Sequence, residues 1–198
     1  MKRHRVGGFA GALSPDGGAL ALGSPVGRIR LLDVRSGDVR PFGPGHEAGL
    51  LDMAFTPDGR TLVSSDSDGG VIAWSVARGK VSEELPAHCG QFWALAVSPD
   101  GRTLYSSGND GRTILWDIAR DRRLVRSFSL REEFEEIQTP RGIAVSPDGE
   151  TLAVTERGGT VDLFDTTTLQ RRRSFQAMRG FAAAADFSPD GPPARGGR

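Results

Sequence analysis

The residues best suited to chemistry in this 198-residue chain are its three histidines, and all three occupy one point of a recurring frame. Five tetrapeptides set that frame: Ser14-Pro15-Asp16-Gly17, Thr56-Pro57-Asp58-Gly59, Ser98-Pro99-Asp100-Gly101, Ser146-Pro147-Asp148-Gly149 and Ser188-Pro189-Asp190-Gly191. His4, His46 and His88 each lie 11 residues before a frame proline. Counted forward from Pro57 and Pro99, Ser64 and Ser106 stand at plus 7, Asp68 and Asp110 at plus 11, and Trp74 and Trp116 at plus 17. An Asp that orients a His, which in turn takes a proton from a Ser, is the machinery of nucleophilic hydrolysis. Catalysis needs one exposed copy of such a set. Two copies in identical phase are what a repeating scaffold needs.

The elements that position these residues follow from the frame. Its spacings are 42, 42, 48 and 42 residues. Proline presets the first turn dihedral and glycine accepts positive φ, so each copy predicts a tight turn between strands. Before the third turn Trp93, Leu95 and Val97 alternate with Ala94 and Ala96, the period of a strand with large side chains on one face and small ones on the other. Further apolar segments (61–65, 103–107, 151–155), glycine turns and third and fourth segments follow each frame turn, giving four short strands in about 42 residues, the blade period of a β-propeller.

With Trp116-Asp117, the partial versions Trp74-Ser75, Leu32-Asp33 and Phe164-Asp165, and the glycine-histidine position held by Gly45-His46 and Ala87-His88, the chain resembles the WD40 repeat family over essentially its whole length. The resemblance implies an all-β, WD40-type propeller of four four-stranded blades (about 4–42, 46–86, 88–130 and 139–176) plus one extra strand in a partial fifth unit, 181–191. It also implies that His46, Ser64, Asp68 and Trp74, and likewise His88, Ser106, Asp110 and Trp116, form buried hydrogen-bonded tetrads that are structural. A network of this kind is stable only when every member is satisfied. Blade one keeps His4 but has Leu22, Val26 and Leu32 at the other positions, and blade four has Glu136, Val154, Gly158 and Phe164, so those blades are expected to rely on apolar packing.

Partner binding is expected on the rim formed by the inter-blade loops. The six extra residues of the 48-residue spacing place Glu132, Glu133 and Phe134 there. Trp93 begins its strand on the same rim, at the position of Phe9, Leu51 and Arg141 in the other blades, and Ser67 and Asn109 complete that surface. Aromatic residues and Arg are the side chains that dominate binding energy at interfaces. Elsewhere the signals are weak. Asp66-Ser67-Asp68-Gly69 begins like a calcium loop but lacks the later ligands. No glycine cluster continues as a phosphate loop, so neither metal nor cofactor is expected. Arg171 to Arg173 read as solvated arginines of an outer strand, and Cys89 beside His88 carries no second cysteine for a metal or redox pair.

Composition agrees with this picture. Twenty-seven glycines and 12 prolines argue for many turns rather than long helices. Twenty-five basic residues balance 25 acidic ones, so no net field draws the molecule to nucleic acid or to an anionic membrane. One cysteine, no apolar run of spanning length and no signal-type leader point to the cytoplasm, and the preference for Arg over Lys points to a GC-rich bacterial genome. After Gly191 the expected apolar strand is replaced by Pro192-Pro193-Ala194-Arg195-Gly196-Gly197-Arg198, a tail expected to be disordered. The resemblance to WD40 repeats implies a ring of about seven blades, which at this period would need about 300 residues. The chain is therefore expected to be a truncated product or a segment of a larger protein, with self-association through open blade edges as a further outcome. The expected function is a noncatalytic protein-interaction scaffold or sensor, and the alternatives are a lactonase-like propeller hydrolase or a remnant without retained function.

Overall fold

The computed structural model describes residues 10–85, 92–119, 124–129, 140–180 and 184–188, with backbone alone for Phe92 and 124–129. Sixteen strands follow one another: β1 (Ala10–Leu13), β2 (Ala19–Gly23), β3 (Ile29–Asp33), β4 (Val39–Phe42), β5 (Leu50–Phe55), β6 (Thr61–Asp66), β7 (Val71–Ser75), β8 (Lys80–Leu85), β9 (Phe92–Val97), β10 (Thr103–Gly108), β11 (Arg112–Asp117), β12 (Leu124–Ser129), β13 (Pro140–Val145), β14 (Thr151–Glu156), β15 (Thr160–Asp165) and β16 (Arg171–Gln176). They form four antiparallel meanders, β1–β4, β5–β8, β9–β12 and β13–β16. This is the blade pattern of an open, partial propeller. The first strand of each sheet is innermost, and β1, β5, β9 and β13 run side by side in series.

The frame turns explain why the first two strands of each blade pair so regularly. In the first, the Ser14 hydroxyl donates to Asp16 Oδ1 (2.6 Å) and accepts the Ala19 N–H (2.8 Å), while Gly17 N–H closes the turn on the Ser14 carbonyl. Thr56 and Asp58 repeat the arrangement, as do Ser98 with Asp100 and Ser146 with Asp148. The last turn residues, Gly17, Gly59, Gly101 and Gly149, all have φ between 67° and 75°, which a Cβ disfavours. The turns also touch in sequence. A Cβ built at Gly59 would lie 3.7 Å from Pro15 Cδ, one at Gly101 3.3 Å from Pro57 Cδ, and one at Gly149 3.7 Å from Pro99 Cδ.

Strand alternation gives each sheet two apolar faces, and three clusters fill the gaps between neighbouring sheets. Ile29, Leu31 and Phe42 of the first sheet meet Leu50, Met53, Leu62 and Trp74 of the second. Val63, Val71 and Leu85 of the second meet Leu95, Leu104, Ile114 and Trp116 of the third. Ala94, Tyr105 and Leu115 of the third meet Ile143, Leu152, Val154 and Phe164 of the fourth. No extensive contact joins the fourth sheet to the first among the described residues, so the arc does not close.

One expectation is corrected. Residues 184–188, within the extra strand expected at the start of the fifth unit, carry no strand, and there Asp186 Oδ1 accepts the Phe187 N–H instead. In every blade the innermost strand takes its ladder from the second strand of its own sheet, and no second strand accompanies 184–188 among the described residues. The segment 192–198 lies outside the described residues.

Candidate functional site

The repeated polar residues converge most completely in the second blade. Trp74 Nε1–H donates to Ser64 Oγ at 2.7 Å, Ser64 Oγ lies 2.6 Å from His46 Nε2, and His46 Nδ1 lies 2.7 Å from a carboxylate oxygen. That carboxylate is Asp66, not Asp68. Side chains two apart on a strand share a face, so Asp66 follows Ser64 onto the inter-blade side of β6. Asp68 instead sits in the β6–β7 turn, where its N–H donates to Asp66 Oδ1 (3.0 Å), as does that of Gly70 (2.8 Å). With Asp66 accepting from Nδ1–H, Nε2 accepts the Ser64 O–H, and the serine oxygen receives the indole proton. Burial holds the His46 imidazole below its ordinary pKa against the opposing pull of Asp66. The order of groups is that of a hydrolase triad, yet Ser64 has no accessible surface and its oxygen already serves both Trp74 and His46.

The set thins away from this blade. In the third, Trp116 Nε1–H donates to Ser106 Oγ at 3.2 Å and the Ser106 hydroxyl donates to the Ile114 carbonyl at 3.4 Å. Asp110 Oδ1 accepts the Arg112 N–H in the β10–β11 turn, and the place of Asp66 is taken by Gly108. His88 lies outside the described residues. In the fourth, Val154 and Phe164 replace Ser and Trp, and the place of Asp66 is taken by Glu156. Glu156 and Asp162 are both buried and lie diagonally on β14 and β15, where Asp162 pairs with Val154, and Arg171 lies 3.9 Å from Asp162. Burial, then the neighbouring Asp162, push the Glu156 carboxyl well above the usual carboxylate range.

The rim residues are placed by a backbone device the sequence does not announce. Each of β5, β9 and β13 carries a β-bulge near its start, and the residue left out of the ladder is Leu51, Trp93 and Arg141 in turn. A bulge re-aims the side chain of its extra residue. Trp93 thereby donates its Nε1–H to Asn109 Oδ1 at 3.0 Å, and the Arg141 guanidinium lies 3.6 Å over the Trp93 ring. Desolvation, reinforced by Arg157, lowers the Arg141 pKa. Leu51 does not join this group; it packs against the core between the second and third sheets. Ser67 is also apart, with its N–H donating to the Gly49 carbonyl at 2.9 Å. Glu132, Glu133 and Phe134 lie outside the described residues.

Asp52 was not among the expected site residues. Its Oδ2 accepts the Leu95 N–H from the neighbouring blade at 2.7 Å and its Oδ1 accepts the Met53 N–H at 2.8 Å. Enclosure between β5 and β9 pushes its carboxyl up to about 6 against those hydrogen bonds. The available signal was an acid in a column otherwise held by Ala10, Ala94 and Gly142.

Among the described residues no group of three His, Cys, Asp or Glu is arranged to hold a metal ion, and no helix is long and apolar enough to cross a membrane. Comparison with known families finds that the WD domain, G-beta repeat, matches residues 39–75 and 79–117. Each match begins in or just before the outer strand of one sheet and ends on the third strand of the next, so each repeat unit ties two blades together. Comparison with curated proteins finds no match.

Proposed function

Since the chain is a member of the WD40 repeat family, we propose that it is a noncatalytic protein-interaction module, a scaffold or sensor that binds a protein partner through its inter-blade rim. WD40 repeats generally mediate contacts between proteins and are typically noncatalytic. The observation that carries the reading is the cluster of Trp93, Asn109 and Arg141, in which two bulges turn an aromatic and a guanidinium out of their ladders onto one patch. Those residue types supply most of the energy of protein interfaces. The hydrolase alternative has less support. Ser64 and Ser106 are fully buried, and each oxygen is occupied by an indole N–H. The cytoplasm of a bacterium is the setting that the arginine bias and the single cysteine favour.

A photo-crosslinking amino acid placed at Asn109 tests the reading inside cells of the source organism. The expected result is one discrete protein adduct that disappears when Trp93→Ala is added, with the same crosslinker at Gly37, on the opposite margin, giving none. Labelling of Ser64 or Ser106 by a fluorophosphonate probe on the folded protein would overturn it.

A further inference from the structure

The three inter-sheet interfaces share one construction, and the two ends of the arc carry its two halves. On the face that packs against the preceding sheet, Leu62, Leu104 and Leu152 have no accessible surface, and Trp74, Trp116 and Phe164 are buried beside them. The first sheet carries Leu20 and Leu32 at the same repeat positions, with Leu13 in the column of Phe55. Here Leu20 and Leu32 are only half-buried and Leu13 is 57% exposed. Arg30, exposed in the column of Ile72 and Ile114, lies at the outer part of this face, towards β4.

The fourth sheet holds the other half. Phe42 pairs with Ile29 across β3–β4, Leu85 with Val71 across β7–β8, and Phe175 with Val161 across β15–β16. Phe42 and Leu85 are 1% and 3% exposed beneath the following sheet, whereas Phe175 is 41% exposed and Val161 half-buried. An interface established three times within the molecule is thus left as two unmatched halves on opposite ends, with no extensive contact among the described residues between the sheets that bear them.

We infer that the Leu13, Leu20 and Leu32 face of one chain docks on the Val161 and Phe175 face of a second copy of the same chain. The contact continues the blade-to-blade interface across the molecular boundary. Because the two halves differ, the contact is heterologous, and such contacts form either open filaments or closed rings. Two copies of four sheets arranged about a twofold axis use both halves of both chains and close as one ring of eight. Closure removes the open sheet faces that make a partial propeller prone to aggregation.

Sedimentation velocity on the full chain over a wide concentration range tests this. A monomer–dimer equilibrium is expected, and Leu13→Arg and Phe175→Arg should each weaken the dimer by about tenfold or more, the loss of one apolar contact residue. Both positions are exposed in the single chain, so unchanged circular dichroism verifies that folding is retained. In either variant every contact has one damaged half. An equimolar mixture recreates one intact contact, and a dimer of mixed composition should reappear. A wild-type chain that stays monomeric throughout, a dimer indifferent to both substitutions, or a mixture that fails to reassociate would overturn the inference and assign these faces to another occupant.

Discussion

The Arg141 guanidinium lies 3.6 Å above the Trp93 ring, and the two reach each other from adjacent inner strands because each is the extra residue of a β-bulge. Neither residue belongs to a core cluster. Both side chains are half-buried, and a cation–π contact contributes about 0.5–1 kcal/mol at the exposed end of its range. Trp93→Ala should therefore lower unfolding free energy by about 1 kcal/mol, measured by urea titration, while abolishing rim crosslinking. A loss comparable to that of a core tryptophan would remove Trp93 from the binding surface.

Replacing the core tryptophans sets that comparison. Trp116→Ala removes a buried indole packed against the second sheet and strips Ser106 of a donor. It should cost about 3–5 kcal/mol in the same titration. A cost near that of Trp93→Ala would mean that the third blade is not held by its inter-sheet packing.

Asp66 and Asp68 make a second contrast. Asp66→Ala deletes the His46 partner and two backbone acceptor bonds, leaving a buried imidazole N–H and the turn amides unmet. The expected loss is about 1–3 kcal/mol or more. Asp68→Ala removes no part of that chain and should stay within about 0.5 kcal/mol of the parent. Reversed midpoints would return the tetrad carboxylate to the turn.

Asp52 gives a pH dependence with a definite sign. Its carboxyl is raised from 3.8 to about 6 in the folded protein. Between those values the unfolded chain releases a proton that the native state keeps. The contribution is fully present below about pH 4 and is lost as pH rises through 6, and the displacement corresponds to about 3 kcal/mol. His46, depressed below 6.5, acts oppositely and loses its contribution as pH falls. The difference between parent and Asp52→Asn isolates the first effect: thermal melts from pH 4 to 8 should show the parent losing more stability with rising pH than the variant. Parallel curves would place Asp52 in a solvated setting.

Glu156 lies beside Asp162, Arg171 pairs with Asp162 at 3.9 Å, and burial opposes the ionisation of Glu156 more than that cation favours it. With a raised folded pKa, its contribution is likewise present at low pH and lost on the alkaline side. Glu156→Gln should therefore stabilise the protein relative to the parent by an amount that grows from pH 5 to pH 8. A variant less stable at pH 8 than at pH 5, relative to the parent, would require an unseen positive partner for the pair.

Much of this molecule was readable along the chain. The Ser14 hydroxyl, the Asp16 carboxylate and the Gly17 amide interact within five residues of one another, so the tetrapeptide dictates its turn wherever it occurs. The same locality made the strand alternation, the 42-residue period and the columns of Ser64 with Ser106 and Trp74 with Trp116 legible from composition and spacing. Tertiary structure decided the rest. The choice of Asp66 over Asp68 depended on which face of β6 meets His46, the approach of Trp93 to Arg141 on bulges in two strands 48 residues apart in the repeat, and the raised Asp52 carboxyl on β9 closing over β5. The missing strand at 184–188 depended on a partner strand, not on its own alternation. Turn chemistry is written into neighbouring residues, whereas side-chain direction, desolvation and ladder pairing are properties of surfaces that come together only when distant segments pack.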